Sequence, residues 1–110
     1  MMIIPLTPMQ ASFVELEIIS RHFDDEQEHV AEVIATVADH FERTTRMGHA
    51  GLAVVDAPLL RSLILDEMNA IDDAIESGRS MQHYSLTRLE ARALHRSASA
   101  IYRKIPKDAF

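Results

Sequence analysis

The chain has 110 residues, with 17 Asp/Glu against 11 Lys/Arg and a formal net charge of −6. This length suits one domain with a single core, and a hydrophobic content of 47% is too high for a disordered chain. The absence of cysteine excludes disulfides and thiolate metal sites, and the acidic balance disfavours general binding to nucleic acid, because like charges repel.

Nothing in the sequence indicates export or membrane insertion. Residues 1–6 are apolar but few, lack a basic flank and are interrupted by Pro5, so we expect no signal peptide. No run approaches the roughly 18 apolar residues that a spanning helix needs. We therefore expect a cytoplasmic protein with no contact to a membrane.

Apolar residues recur at helical spacing in four segments, which predict helices at about 8–22, 25–47, 57–77 and 87–105. Residues suited to helix ends flank these segments: Thr7 with Pro8 before the first, Asp56 before the third, and the capping-box pair Thr87 and Glu90 at the start of the fourth. The pattern predicts an all-α fold.

The first helix has two separate apolar sets. At 100° per residue, one side gathers Met9, Phe13, Leu16, Ile19 and Phe23. Val14 and Ile18 lie one turn apart on another face. A surface helix with one buried stripe does not need this pair, so either the helix is sandwiched between two others or Val14 and Ile18 contact another chain. The second alternative predicts a homodimer.

The second and third helices each have one apolar stripe, and we expect them to form a central antiparallel hairpin. The stripe of the second helix, which Gly48 ends, comprises Val30, Val33, Ile34, Val37 and Phe41. That of the third comprises Leu60, Leu63, Ile64, Ile71, Ala74 and Ile75. The run 52–55 is too short to predict a strand and is expected to dock beneath the helices. Residues 79–84 are expected to be a linker.

Glu67 falls inside the apolar stripe of the third helix. An isolated carboxylate is costly to bury, so this one must be paired, protonated or at the end of the core. The structural alternative is an ion pair with an arginine of the last helix. The functional alternative is that Glu67 is a pocket acid or an anchor for a partner.

The last helix is the basic part of the chain. Residues 79–110 contain seven Lys/Arg and two Asp/Glu, whereas residues 1–78 contain four Lys/Arg and fifteen Asp/Glu. Its arginines recur at turn spacing on one side: Arg88, Arg92, Arg96 and Arg103. Three alternatives follow: the arginines pair with acids of the second or third helix, bind a partner protein, or lie along nucleic-acid phosphates.

No sequence motif indicates catalysis. A Gly-rich phosphate loop, a Gly-x-Ser-x-Gly elbow and a His-Glu-x-x-His motif are all absent, so no catalytic, metal-binding or cofactor-binding residue is predicted. The acidic clusters at 24–28, 66–67 and 72–73 mostly face away from the apolar stripes, as solvated charges do. A metal-dependent helical hydrolase is therefore the weakest alternative for the function.

The sequence predicts a single all-helical domain over residues 1–110, arranged as a small four-helix bundle or helical array and forming a homodimer. We expect a non-enzymatic regulator that binds another protein, as an adaptor, inhibitor or anti-activator. The expected contact residues are the four arginines together with Val14 and Ile18, and Glu67 is the expected buried or pocket acid. The main alternative is a transcriptional regulator that binds nucleic acid through the basic last helix.

Overall fold

A computed structural model describes residues 1–77 and 87–107, and the predicted linker at 79–84 lies outside this part. The described part is mostly helical, as predicted, with a small sheet in addition. Its elements are β1 (Ile3–Pro5), α1 (residues 8–22), α2 (Glu28–Arg46), β2 (Gly51–Ala53), α3 (Ala57–Ser77) and α4 (Arg88–Lys104).

Side-chain caps fix where three of the helices begin. Thr7 and Gln10 form a capping box at α1, and Thr87 and Glu90 form the equivalent box at α4. The Asp56 carboxylate accepts the backbone N–H of Leu59 at α3. Each cap satisfies backbone donors that have no partner within the helix.

The second helix begins later than predicted. It starts at Glu28, and Gln27 at its N-cap makes no side-chain capping bond. Asp25 instead accepts the backbone N–H of Gln27 at 2.9 Å, within the turn that joins α1 to α2. At its other end the helix stops before Gly48, whose φ of 95° is accessible to glycine without strain.

A π-helical segment interrupts α1. Pro8–Phe13 and Ser20–His22 are α-helical, whereas Val14–Ile19 is π-helical, and the Ser20 amide donates to the Glu15 carbonyl five residues earlier. A π turn holds one more residue than an α turn and therefore changes which side chains face the core.

This π turn overturns the predicted stripe of α1. Phe13 is buried, but Met9, Leu16 and Phe23 are 51%, 61% and 49% exposed. Val14 and Ile18 lie instead in the chain's own core, with 0% and 1% of their surface exposed. The prediction that these two residues contact another chain is therefore wrong for this fold, because a partner could reach them only by opening the core.

The first helix lies at the centre of the helical array, between the others. Its segments contact α2, α3 and α4, which is the sandwiched arrangement that explains Val14 and Ile18. The predicted central hairpin of α2 and α3 is not formed: in the described residues, α2 packs on α1 and β2, and α3 packs most extensively on α4. The apolar stripe of α2 is buried as predicted.

The run after α2 forms a strand that the sequence analysis did not predict. β2 pairs antiparallel with β1, with Ile4 opposite Leu52 and Pro5 opposite Gly51. Both Ile4 and Leu52 are buried in the core, so this sheet also docks beneath the helices. A Cβ atom at Gly51 would lie only 2.6 Å from Ile3 Cγ2. Glycine at this position therefore allows the Ile3 side chain to pack closely against β2.

Candidate functional site

The last helix is fixed to the body by its apolar side and by one arginine of α3. Its buried residues are Ala91, Ala98, Ile101 and, just past its end, Ile105. The Arg61 guanidinium donates to the carbonyls of Tyr102 and Ile105 at 3.2 and 2.9 Å and lies 4.1 Å from the centre of the Tyr102 ring. These contacts satisfy carbonyls at the helix end and hold α4 in one orientation.

The opposite side of α4 presents the predicted arginines to solvent. Arg92, Arg96 and Arg103 are all exposed. Within residues 1–77 and 87–107, no carboxylate oxygen lies within 4.0 Å of these three guanidinium groups. The described residues therefore do not supply the ion pairs that the intramolecular alternative requires.

Arg88 differs from the other three arginines. Its guanidinium donates to the Ile75 carbonyl near the end of α3 at 3.4 Å, although the side chain is exposed. A carbonyl does not neutralise a guanidinium, and among the described residues no carboxylate lies within 4.0 Å of Arg88. Arg88 therefore contributes charge to the same face while also contacting the body.

A recess of about 320 Å³ lies between α3 and α4, where the two signs of charge meet. Arg92, His95 and Arg96 line it from α4, and Asp72 and Glu76 line it from α3. His95 Nε2 is 3.2 Å from an Asp72 carboxylate oxygen. We call Arg92, Arg96, Arg103 and this adjoining recess the arginine face.

Glu67 is buried, as its position in the stripe predicts, with 4% of its surface exposed. Its partner comes from α1, because Arg21 Nη1 is 2.7 Å from Glu67 Oε1. The same guanidinium lies 3.5 Å from the Glu17 carboxylate. This cluster joins α1 to α3 and is remote in sequence from the arginines of α4, so it serves the packing of the central helix.

Two histidine–aspartate contacts lie outside the arginine face, and the sequence does not predict the long-range one. His29 Nε2 lies 2.9 Å from the carboxylate of Asp56, and His22 Nδ1 lies 3.2 Å from that of Asp25. The spacing of Asp25 and His22 could have suggested the local pair, whereas 27 residues separate His29 from Asp56. Among the described residues, no group of three or more His, Asp or Glu side chains is placed to hold a metal ion.

No protein-family model, curated protein or solved structure matches this chain. In the part of the chain that the structure describes, no helix has both the length and the apolar character needed to cross a membrane.

Proposed function

We propose that this protein is a small non-enzymatic regulator or adaptor whose arginine face binds an acidic segment of a partner protein. The supporting observation is that Arg92, Arg96 and Arg103 are exposed on one side of a firmly held helix without a carboxylate partner among the described residues. Arginine is enriched at protein interfaces because its planar fork binds carboxylates with two hydrogen bonds.

The surroundings of these arginines favour a protein over nucleic acid. Asp72 and Glu76 line the same recess as Arg92 and Arg96 and would repel a phosphate backbone. A folded partner can present carboxylates to the arginines and a basic or amide group to the two acids. The net charge of −6 adds a long-range repulsion that nucleic acid would have to overcome.

The test is an affinity capture from the native host with wild type and Arg92→Glu/Arg96→Glu, followed by calorimetric titration of the identified protein. The control is Arg43→Glu/Arg46→Glu, which makes the same change of charge on α2, where both arginines pair with acids one turn earlier. Circular dichroism verifies that all three proteins are folded.

We expect the α4 variant to lose at least about tenfold in affinity, since two charge reversals replace attraction by repulsion at the interface. The α2 control should bind as wild type does. Equal binding by both variants would contradict the proposal, and so would a salt-sensitive complex with duplex DNA that depends on Arg92 and Arg96.

The homodimer remains a prediction, but the two residues from which it was inferred, Val14 and Ile18, do not lie on the surface. Because Val14 and Ile18 are buried within one chain, a dimer would have to use other residues. Light scattering at tens of micromolar gives the mass directly. A monomer mass would contradict the predicted dimer without affecting the proposed binding by the arginine face.

A further inference from the structure

A second surface of the molecule leaves apolar side chains exposed, on the side of α1 that faces away from the core. Leu16 and Phe23 are 61% and 49% exposed, and Ile19 is partly buried between them. The π turn accounts for this exposure, since Val14 and Ile18 face inward there while Leu16 and Phe23 of the predicted stripe remain outside.

An apolar groove adjoins this stripe at Ile19, which lies between Leu16 and Phe23 in the sequence. It has a volume of about 320 Å³ and lies between α1 and α2, with Ile19, Ala38 and Phe41 among its apolar lining residues. A half-exposed phenylalanine and leucine beside an open groove are the features of a site that receives apolar anchors from another chain.

The charges around the groove are predominantly negative. Glu15 and Glu42 line it, and Asp24 follows Phe23 directly. Arg46 also lines it and pairs with Glu42 at 2.5 Å, so these two charges offset each other and the charge of Glu15 remains. In the described residues no basic group lies within 4.0 Å of the Glu15 carboxylate, so no ion pair there offsets its charge at the edge of the groove.

These charges select among the possible occupants. Two copies of α1 packed antiparallel about the Ile19–Ser20 bond would bring Glu15 of each against Asp24 of the other, and parallel packing would oppose the two Glu15 side chains. Like charges at an interface cost binding energy, which disfavours a second copy. An anionic membrane surface is disfavoured for the same reason.

We propose that the groove between α1 and α2 binds a basic amphipathic helix of a partner protein. Apolar side chains one turn apart on that helix enter the groove beside Leu16 and Phe23, and flanking lysines or arginines meet Glu15 and Asp24. This site is separate from the arginine face and opposite to it in charge, so the two surfaces bind different chains.

The probe is a synthetic amphipathic peptide of leucine and lysine, about five helical turns long, labelled for fluorescence anisotropy. Two control peptides isolate the chemistry: a scrambled sequence of the same composition and a leucine–glutamate peptide with the same apolar spacing. We expect the cationic amphipathic peptide to bind wild type, and both controls to bind at least about tenfold more weakly.

The variants locate the binding site. Leu16→Ser/Phe23→Ser should weaken binding at least about tenfold, because anchoring apolar side chains dominate such interfaces. Leu89→Ser is the matched control, since Leu89 is exposed on α4, and it should bind as wild type does. Arg92→Glu/Arg96→Glu should also retain binding, which separates this inference from the proposed function.

Hydrogen exchange on the wild-type protein gives a measurement independent of any variant. The peptide should slow exchange within residues 14–23 and 38–46 and leave 92–103 unchanged. The inference is overturned if wild type does not bind the peptide, if the acidic or scrambled peptide binds equally well, or if protection appears elsewhere.

Discussion

At the scale of single residues, the cluster around Arg21 shows what sequence periodicity can and cannot predict. The position of Glu67 within an apolar stripe predicts its burial, because the helical wheel places neighbours on the same helix. Its partner, Arg21, lies 46 residues earlier in the chain on another helix, and a helical wheel of one helix cannot identify it. Arg21 is 31% exposed at its side chain and Glu67 only 6%, so removing one partner affects the two residues unequally.

We predict that Arg21→Met lowers the free energy of unfolding by about 2–3 kcal/mol, because it leaves a buried carboxylate without this guanidinium. Arg21→Met/Glu67→Met should recover part of this loss, since it also removes the more deeply buried carboxylate, whereas Glu17 still loses its contact with Arg21. Urea denaturation measures both values. A double variant less stable than Arg21→Met would show that Glu67 is stabilised mainly by groups other than Arg21.

The pKa of Asp25 is lowered, mainly by the hydrogen bond from the Gln27 amide and further by the contact with His22. A carboxyl group whose pKa is lower in the folded than in the unfolded protein stabilises the fold above its unfolded pKa, and this contribution is lost as the pH falls through the folded pKa. We therefore expect Asp25→Asn to be less stable than wild type near neutral pH, with the difference shrinking below pH 3.8.

Urea denaturation from neutral to acidic pH measures this effect, and Asp24→Asn is its control. Asp24 is the preceding acid and makes neither of these contacts in the described part of the chain. Its replacement should change stability little at any pH. A constant difference between wild type and Asp25→Asn across the pH range would show that the ionisation of Asp25 does not contribute.

At the scale of the elements, the predictions succeed where one helix determines its own pattern. The capping boxes at Thr7 and Thr87 involve residues three positions apart, and the buried stripe of α2 follows the ordinary period of 3.6 residues. The predicted stripe of the first helix is wrong because the helical wheel assumes 100° per residue, and a π turn does not follow that spacing. The sheet was missed because its strands are short, far apart in sequence and include Pro5.

The π turn makes a specific prediction about deletions. Removing Leu16 would place Phe13 and Ile18 four positions apart and Val14 and Ile18 three apart, as an α-helical stripe requires. We therefore expect the deletion of Leu16 to change the free energy of unfolding by less than about 1 kcal/mol, because the core-facing side chains keep their places while an exposed one is lost.

The matched control is the deletion of Ala35, an exposed residue within the regular helix α2. This deletion should cost more than about 3 kcal/mol, because everything beyond it rotates by about 100° and moves core side chains toward solvent. Thermal unfolding followed by circular dichroism measures both deletions. Similar losses for the two would mean that the extra residue in α1 is needed for packing.

At the scale of the whole molecule, the basic and acidic residues of the sequence lie on two different surfaces. The arginines concentrate on the outer side of α4, and Glu15, which has no basic partner within 4.0 Å among the described residues, lies at the edge of the groove between α1 and α2. The sequence predicts that the arginines share one side of the last helix, but neither their exposure nor the groove follows from it, because exposure depends on which helix lies at the centre. With surfaces of opposite charge on different helices, one chain could hold two partners at once, which is the arrangement an adaptor requires.

The dependence of stability on salt concentration tests whether the arginines of the arginine face form ion pairs with carboxylates of their own chain. Arg92 and Arg96 are near the acids of α3 without directly pairing with them in the described residues, so they act on the acidic body through long-range attraction. Such attraction extends over about 30 Å at 0.01 M salt but only about 3 Å at 1 M. Arg92→Glu/Arg96→Glu should therefore be less stable than wild type at low salt and nearly equal to it at high salt.

Arg21→Met provides the contrast in this experiment, since salt screens partly buried pairs much less and its deficit should persist at 1 M. Urea denaturation across a salt series compares the two variants directly. If the deficit of Arg92→Glu/Arg96→Glu also persisted, the arginines would have to contact carboxylates of their own chain. The arginine face would then already be occupied, and binding of an acidic partner would have to break those pairs first.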